Sequence, residues 1–353
     1  MGGRPRRGGG SLVPLVLAGD GAAAPAIYPG TVTRPSVPAP LAADRLAVWR
    51  RRAVLANLVA QVLIIVTGGL VRLTASGLGC SSWPSCEPGH FTPTLHDATS
   101  YHPFIEFGNR TITGVLVVLA LAVALLAGLD RQRSASYRAM AWVPLVGVVV
   151  QAVVGGMAVI YSLPPAVVSG HMLISMALVA VSTWLVIRSK ESDEVSVPTV
   201  DVTTRRLMAL LGVAALVVVA LGVVVTGAGP HSGDDRVGYR FAVDPFAMAR
   251  VHSLAVWVFV AVLVALLLRV RRSGPAAARR AAWVLLVVTA AQALIGYVQL
   301  FTGLPIALVD LHMLGAAGLV IATVLLAGTL RVRGSLATAP VPGPAPAAAA
   351  RAA

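Results

Sequence analysis

Charged residues are scarce in this sequence. Only 12% of its 353 residues are Asp, Glu, Lys or Arg, whereas 57% are hydrophobic and the mean hydropathy is +0.83. Water-soluble globular chains carry about 25% charged residues. No stretch has the composition of a soluble catalytic domain, so any chemistry should take place within the membrane or at its edge.

Apolar runs of about 20 residues, long enough to cross a bilayer, predict an all-α membrane protein. The eight predicted spans are 53–71, 109–129, 139–160, 166–187, 207–228, 250–268, 281–302 and 311–330.

The basic residues behind the net charge of +14 are not spread evenly along the chain but follow the predicted membrane topology. Basic residues precede span one, follow span eight and fill every second loop between spans, whereas the alternate loops contain few. This is the positive-inside pattern, and it predicts that both termini are cytoplasmic. Membrane topology accounts for the charge, so no nucleic-acid partner is expected. The clusters include Arg50, Arg51, Arg52, Arg131, Arg133, Arg138, Arg188, Lys190, Arg205, Arg206, Arg269, Arg271, Arg272, Arg279, Arg280, Arg331 and Arg333.

Cysteine is nearly absent, since only Cys80 and Cys86 occur. There is no Cys-x-x-Cys-His motif, which argues against covalent attachment of a c-type heme. Both cysteines fall in the first loop on the predicted outer side, where the oxidising compartment permits disulfides. We therefore predict that they form a disulfide. A purely structural bond and a redox role are both open at this point.

The two ends of the chain differ in composition from its middle. Residues 1–44 are rich in Gly, Pro and Ala and show no hydrophobic periodicity, and residues 334–353 include the run APVPGPAPAAAA. Both segments are expected to be disordered. Between them we predict a first half at 45–188, a cytoplasmic linker at 189–206 and a second half at 207–333, with four spans in each half.

The second half repeats part of the first. Residues 292–314 match residues 151–173 at a constant offset of 141 positions without a gap. Proline interrupts a helix, so each copy predicts a helix, a turn and a second helix. The repeat therefore predicts two pseudo-symmetric four-helix bundles and a duplicated metalloporphyrin or ion site. The shared residues are Gln151, Gly155, Leu163, Pro164, His171, Met172 and Leu173, matched by Gln292, Gly296, Leu304, Pro305, His312, Met313 and Leu314.

Two further residues extend the set of matched positions. His252 lies near the outer end of span six, and Asn109 takes the corresponding place on span two. Neutral imidazole is a good ligand for heme iron, and facing helices can hold a porphyrin between them. We predict that His252 and His312 bind one iron, while Asn109 and His171 flank the equivalent place in the first half. The alternative for each histidine is a hydrogen bond to a neighbouring helix, although ionisable residues inside membranes are costly and commonly functional.

Three motifs carry a family resemblance. Span one runs into VTGGLVRLTASGLGCSSWPSC at residues 66–86, and IEFGNR at 105–110 and VTGAGPHSGD at 225–234 follow. Together with the repeated segments, they make residues 53–331 similar to the heme A synthase family. The resemblance implies conversion of heme O to heme A, by oxidation of the C8 methyl of the porphyrin to a formyl group, for cytochrome oxidase assembly. It also implies a resident heme b whose iron is bound by His252 and His312, and a substrate heme O bound by His171.

The sequence departs from that family's pattern on span two. Many members have Glu-x-x-His-Arg, whereas this chain has Glu106-Phe107-Gly108-Asn109-Arg110. Asparagine cannot replace imidazole as a strong iron ligand. The substrate iron is thus either bound by His171 alone or also by His102, which has i, i+4, i+7 spacing with Glu106 and Asn109. Glu106 is the expected catalytic residue, a proton acceptor beside the oxidised methyl. Its alternative is favourable placement of a carboxylate at the positive end of a helix.

The remaining expectations concern partners and competing functions. The resemblance implies a heme O synthase and an electron donor as partners, in the cytoplasmic membrane of a bacterium, and a homo-oligomer is compatible with the sequence. Arg72, Arg110 and Arg250 either pair with heme propionates or anchor at the membrane interface. The cysteine pair has a second expected role in handling heme in transit. Two alternatives stay open: a di-heme b-type electron carrier or quinol oxidoreductase, and a heme transporter.

Overall fold

A computed structural model of the chain describes residues 40–94 and 100–333. Eight helices in this part of the chain are long and apolar enough to cross a membrane, which confirms the predicted eight-helix membrane fold. The segments predicted to be disordered lie outside the described residues, except that α1 begins at Pro40, ahead of the predicted boundary. The helices are α1 (Pro40–Leu73), α2 (His102–Val123), α3 (Ala135–Ile160), α4 (Pro165–Arg188), α5 (Val202–Ala228), α6 (Pro245–Ser273), α7 (Ala276–Phe301) and α8 (Ile306–Gly328).

Several helices begin before the predicted spans because polar residues start them. Asp201 accepts a hydrogen bond from Thr204 N (2.7 Å) ahead of α5, and Asp244 accepts one from Ala247 N (2.6 Å) ahead of α6. Such carboxylates satisfy backbone N–H groups that have no partner within the helix. Hydropathy detects only the apolar middle of a span, so these first turns lay outside the sequence prediction. A π-helical turn, Ala124–Gly128, extends α2.

The repeated Leu-Pro pair forms the same turn in both copies. Leu163 and Leu304 adopt left-handed backbone conformations, with φ of 60° and 59°. Each N–H donates to a carbonyl five residues earlier, over 2.7 Å for Leu163 and 2.8 Å for Leu304. This hydrogen bond closes the end of the preceding helix, and the following proline starts the next one. The predicted turns at Pro164 and Pro305 are confirmed.

Buried side chains form separate clusters within and between the halves. The largest lies among α5 to α8, around Leu211, Phe259 and Leu285. Another cluster joins the halves, because Ile65 on α1 and Val179 on α4 pack with Ala317 on α8. Many large apolar side chains point away from the bundle, as expected where lipid replaces water; they include Val118, Val146, Leu216, Trp257, Val287 and Phe301.

Four loops meet at one end of the bundle, which we call the site end. They join α1 to α2, α3 to α4, α5 to α6 and α7 to α8. The α5–α6 loop touches the other three, so the N-terminal ends of all even-numbered helices lie at this end. The contacts are Gly77 N donating to Gly233 O (2.6 Å), the Tyr239 hydroxyl donating to Tyr161 O (3.0 Å) and His231 Nε2 lying 3.3 Å from Leu304 O.

The opposite end, which we call the linker end, is organised by a two-stranded antiparallel pair that the sequence did not predict. In it β1 (Val197–Pro198), within the predicted linker, pairs with β2 (Arg331–Val332), which follows α8. Asp193 accepts hydrogen bonds from Arg133 Nε (2.8 Å) and Arg188 NH2 (2.8 Å). Partial burial raises the pKa of Asp193, but the hydrogen bonds from Arg133 and Ser134 outweigh it and hold the pKa well below its usual range.

Candidate functional site

Four predicted ligand residues lie at equivalent points of the even-numbered helices. Asn109 and His252 are the eighth residues of α2 and α6, and His171 and His312 are the seventh residues of α4 and α8. At 1.5 Å of rise per residue, each lies about 10 Å inside its helix from the site end. All four are half-buried. The sequence predicted these residues near the outer ends of the spans. Because the helices begin before the predicted spans, each residue lies about two turns from the start of its helix.

A glycine on the preceding helix faces each of these residues. A Cβ added at Gly155, Gly222 or Gly296 would lie 3.6, 3.1 and 3.1 Å from Cε1 of His171, His252 and His312, respectively. A Cβ at Gly68 would lie 3.9 Å from Asn109 Oδ1. An added Cβ would crowd the imidazole at Gly222 and Gly296, whereas at Gly68 and Gly155 it would make ordinary van der Waals contact. The sequence repeat marked Gly155 and Gly296, but nothing in it marked Gly68 or Gly222.

The three histidines have the properties expected of heme ligands. Nδ1 of each is buried and has no hydrogen-bond partner in the described part of the chain. Neutral imidazole is a good ligand for heme iron. Among the described residues there is no group of three or more His, Cys, Asp and Glu side chains that could hold a metal ion. The three histidines are the candidate residues that could hold a heme iron.

The repeated glutamines support the backbone beside the ligands. Gln151 Nε2 donates to His171 O, and Gln292 Nε2 donates to His312 O, both over 2.9 Å. Each bond ties the odd-numbered helix to the turn that carries the histidine. The repeated glutamines thus make the same interhelical hydrogen bond in both halves.

A disulfide loop lies next to the ligand residues of the first half. Cys80 and Cys86 are bonded, as predicted, and both are buried. Glu106 is only 5% exposed and accepts hydrogen bonds from Cys80 N (2.7 Å) and from Arg110 NH2 (2.5 Å). Arg110 NH1 also donates to three carbonyls of the loop, Ser82 O, Pro84 O and Ser85 O. The Glu106 carboxylate is therefore also a structural anchor of this loop, a role that the sequence did not indicate.

Trp83 extends the disulfide loop over helix α3. A Cβ added at Gly156 would lie 2.9 Å from the Trp83 indole, so the ring rests directly on this glycine. Gly156 follows Gly155, which faces His171. The loop thus covers helix α3 beside the first-half ligand, while Trp83 itself stays 42% exposed.

Two polar residues of α2 have partners that bear on the missing ligand. Asn109 Oδ1 accepts a hydrogen bond from Thr67 Oγ1 on α1 (2.7 Å). His102 is the first residue of α2, and its Nδ1 lies 2.9 Å from the hydroxyl of Ser76, which is buried. His102 is thus held by the loop at the site end. It lies seven residues before Asn109, which is about 10 Å along α2. This contact favours an anchoring role for His102 over iron binding.

The arginines considered for propionate binding differ in their surroundings. Arg72 donates from Nε to His231 O (2.8 Å) and from NH2 to Thr226 O (2.6 Å), joining α1 to the end of α5. Arg110 is engaged by Glu106 and the disulfide loop, whereas Arg250 is exposed. Arg72 and Arg110 therefore already donate hydrogen bonds to protein groups. The sequence marked Arg72 but not this connection between the halves.

The α5–α6 loop encloses a small polar cavity of about 190 Å³ at the site end. Asp234 in its wall is only 5% exposed. Hydrogen bonds from Arg236 hold the pKa of Asp234 below its usual range. None of the four ligand residues lines the cavity, whose walls include Arg72, Ala75, His231, Ser232, Asp235 and Arg240.

Comparisons with known proteins agree with these features. Residues 51–232, just over half of the chain, match the model of the family COX15-CtaA, cytochrome oxidase assembly protein. Proteins called heme A synthase are 31% identical over 140 residues in Bacillus pumilus (38% of this chain, 43% of that protein) and 30% identical over 174 residues in Exiguobacterium sibiricum (48% and 56%). A third, from Bacillus cereus, is 34% identical over 131 residues (36% and 41%). The chain spans about half the length of the curated relatives it matches. The residues matched by the family model include the Cys80–Cys86 loop, Glu106, Asn109 and His171. Because this match covers more than half of the chain, the chain belongs to the cytochrome oxidase assembly protein family.

Proposed function

We propose that the protein is a heme A synthase, an enzyme that oxidises the C8 methyl of heme O to a formyl group. The single observation that carries the proposal is the composition of the four ligand positions. Three buried imidazoles and one asparagine, each facing a glycine, suit one fully ligated iron and one iron with an open face. Membership in a family of cytochrome oxidase assembly proteins, and relatives called heme A synthase, support this choice.

In the second half, His252 and His312 would hold a resident heme b. Both have a buried Nδ1 without a partner and a glycine that leaves room for the ring. A heme with two imidazole ligands supplies one-electron transfer. The role of the protein here is to orient the ligands, and Gln292 does so by binding the carbonyl of His312.

In the first half, His171 would bind the iron of the substrate heme O, with Asn109 on the other side. Conversion of the methyl group to a formyl group is a four-electron oxidation; balanced with one water molecule, R–CH3 + H2O gives R–CHO + 4 H⁺ + 4 e⁻, so the site needs a proton acceptor and the electrons pass to an electron-transfer partner. Glu106 is the proposed proton acceptor, because it is the buried carboxylate on the same helix as Asn109. Its contacts with Cys80 N and Arg110 would hold the carboxylate in place. Trp83 and the disulfide loop would restrict the access of water to the site.

The same proposal extends to location and partners. Basic loops at the linker end favour a cytoplasmic position for that end and for both termini, which leaves the site end outside. The disulfide agrees with an oxidising outer compartment of a bacterial cytoplasmic membrane. Heme O would come from a heme O synthase, and an electron-transfer partner would connect to the resident heme.

Heme extraction tests the proposal. The full chain is co-expressed with a heme O synthase, and the extracted pigments are separated by chromatography. Formation of heme A is expected with the native chain and not with a vector control. Extraction of heme O and heme b without heme A would contradict the enzyme and favour an electron carrier or a transporter.

A further inference from the structure

The four ligand positions differ in a coupled pair of residues. Where the ligand residue is histidine, the residue before the facing glycine is apolar: Val154, Leu221 and Ile295. Where it is Asn109, that residue is Thr67, which precedes Gly68. The hydroxyl therefore occurs only beside the asparagine. Such coupling indicates that Thr67 and Asn109 act together.

The hydroxyl of Thr67 determines which way the carboxamide of Asn109 points. Thr67 Oγ1 lies 2.7 Å from Asn109 Oδ1 and 3.4 Å from Ile64 O. The second distance exceeds the usual limit of about 3.0 Å for an O–H···O bond, so the single hydroxyl proton goes to Asn109. Because Oδ1 is the acceptor, Nδ2 with its two N–H groups is on the other branch.

The Nδ2 group of Asn109 has no acceptor within hydrogen-bonding distance in the part of the chain that the structure describes. The residue is half-buried, at the same helical position as the three histidines. Asn109 thus presents N–H donors where the other three positions present imidazole. A donor cannot replace imidazole as an iron ligand, but it can bind a ligand of the iron.

We infer that Thr67 and Asn109 form a donor unit that binds a small axial ligand of the substrate iron, of the dioxygen, carbon monoxide or small-anion class. The inference rests on the proposed function, in which His171 binds that iron. Thr67 is a positioning residue, because it acts by orienting the carboxamide. An N–H donor stabilises negative charge on the outer atom of such a ligand, most strongly where water is excluded. In the second half, His252 and His312 leave no position for a donor.

Carbon monoxide provides the test. The purified full chain, with its resident heme, is loaded with heme O, reduced and exposed to carbon monoxide, and the C–O stretching band is recorded by infrared spectroscopy. A heme with two histidine ligands has no open position, so the band reports only the first-half iron. A hydrogen bond to the bound ligand moves the band to lower wavenumber.

Three variants isolate the donor. Thr67→Val has the shape of threonine without its hydroxyl, Asn109→Leu removes the amide, and Thr67→Ser keeps the hydroxyl as the matched control. We expect the native chain and Thr67→Ser to share one band. Thr67→Val should shift it to higher wavenumber, and Asn109→Leu should shift it further. The resident heme b spectrum, unchanged in each variant, confirms folding.

An identical band in all four proteins would overturn the inference. So would a native protein that forms heme A but gives no carbon monoxide adduct, and in that case the proposed function would stand. If the native protein neither forms heme A nor binds heme O in its first half, the proposed function fails and the inference fails with it. Thr67→Val alters α1 and Asn109→Leu alters α2, so each of these two variants tests the donor independently of the other.

Discussion

The candidate sites of the two halves are built on the same helical positions but differ in chemistry. In the second half, His252 and His312 face Gly222 and Gly296, and both ligand positions carry imidazole. In the first half, one imidazole is replaced by an asparagine that accepts a hydrogen bond from α1. The first half alone has a buried carboxylate on α2 and a disulfide loop that packs over α3.

This difference matches two tasks on one scaffold. A fully ligated heme changes little during electron transfer, so two imidazoles suit it. A heme that is itself the substrate needs an open face, a nearby proton acceptor and a cover against water. In the proposed assignment, the first half has gained these features by exchanging a ligand for a donor and adding a loop. The tests below begin with the largest expected effect.

Removing either ligand of the second half should abolish the resident heme. His252→Ala or His312→Ala leaves one imidazole, so the low-spin heme b spectrum of the purified protein should be lost. His90→Ala, in the exposed segment that follows the disulfide loop, is the control and should keep full heme content. A complete low-spin spectrum in both alanine variants would show that the resident heme is not bound by the second half.

Changes in the first half should impair chemistry and leave the resident heme in place. His171→Ala should prevent substrate binding. Glu106→Gln should lower heme A formation by about 100-fold, since acid–base groups contribute this order of rate. The glutamine keeps an oxygen acceptor for Cys80 N, which Glu106→Ala would remove. Full activity of Glu106→Gln, measured by heme extraction, would reduce Glu106 to a loop anchor.

Restoring imidazole should make the first half resemble the second. Gly68 leaves room beside residue 109, as the facing glycines do beside the three histidines. Asn109→His should therefore convert the substrate heme to a six-coordinate low-spin state and slow its oxidation. The absorption spectrum of the heme O-loaded variant provides the measurement. If this spectrum does not change, Asn109 does not face the iron, and the equivalence of the four positions fails on α2.

The smallest effect is expected at the linker end, away from the candidate sites of both halves. Asp193→Asn removes charged hydrogen bonds to Arg133 and Arg188 and should destabilise the fold by about 2 kcal/mol. Because the folded pKa is lowered from 3.8, the contribution of Asp193 is present above that pH and is lost as pH falls below it. The difference in unfolding temperature between native and variant protein in detergent should therefore shrink in acid. Loss of bound heme from Asp193→Asn at neutral pH would contradict a purely structural role for this residue.

The features that could be predicted from the sequence rest on three signals: hydropathy, the internal repeat and the membrane topology of the cysteines. The spans follow from hydropathy, because a bilayer imposes one length and one polarity on every crossing helix. The turns at Pro164 and Pro305 and the interhelical roles of Gln151 and Gln292 follow from a gap-free repeat. The disulfide follows from topology, since Cys80 and Cys86 are the only cysteines and share one loop. The functions of the ligand residues stay predictions.

Other features had no local signal. The donors of Arg72 are taken up by carbonyls more than 150 residues away. The contact between Thr67 and Asn109 joins two helices whose side chains face each other only after packing. Likewise, β1 and β2 are two residues each, and their pairing depends on α4 and α8 ending near one another.

The sequence by itself determined the eight helices, the turns of the repeat, the cysteine pair and which residues could bind iron. These features depend on composition and on short-range spacing, which the chain carries in one dimension. Only the tertiary structure decided that Glu106 also anchors the disulfide loop, that Thr67 orients Asn109 and that a glycine faces each ligand position. Those facts depend on the side chains that each helix meets across its neighbours, because hydrogen bonding and close packing are set by distances in space.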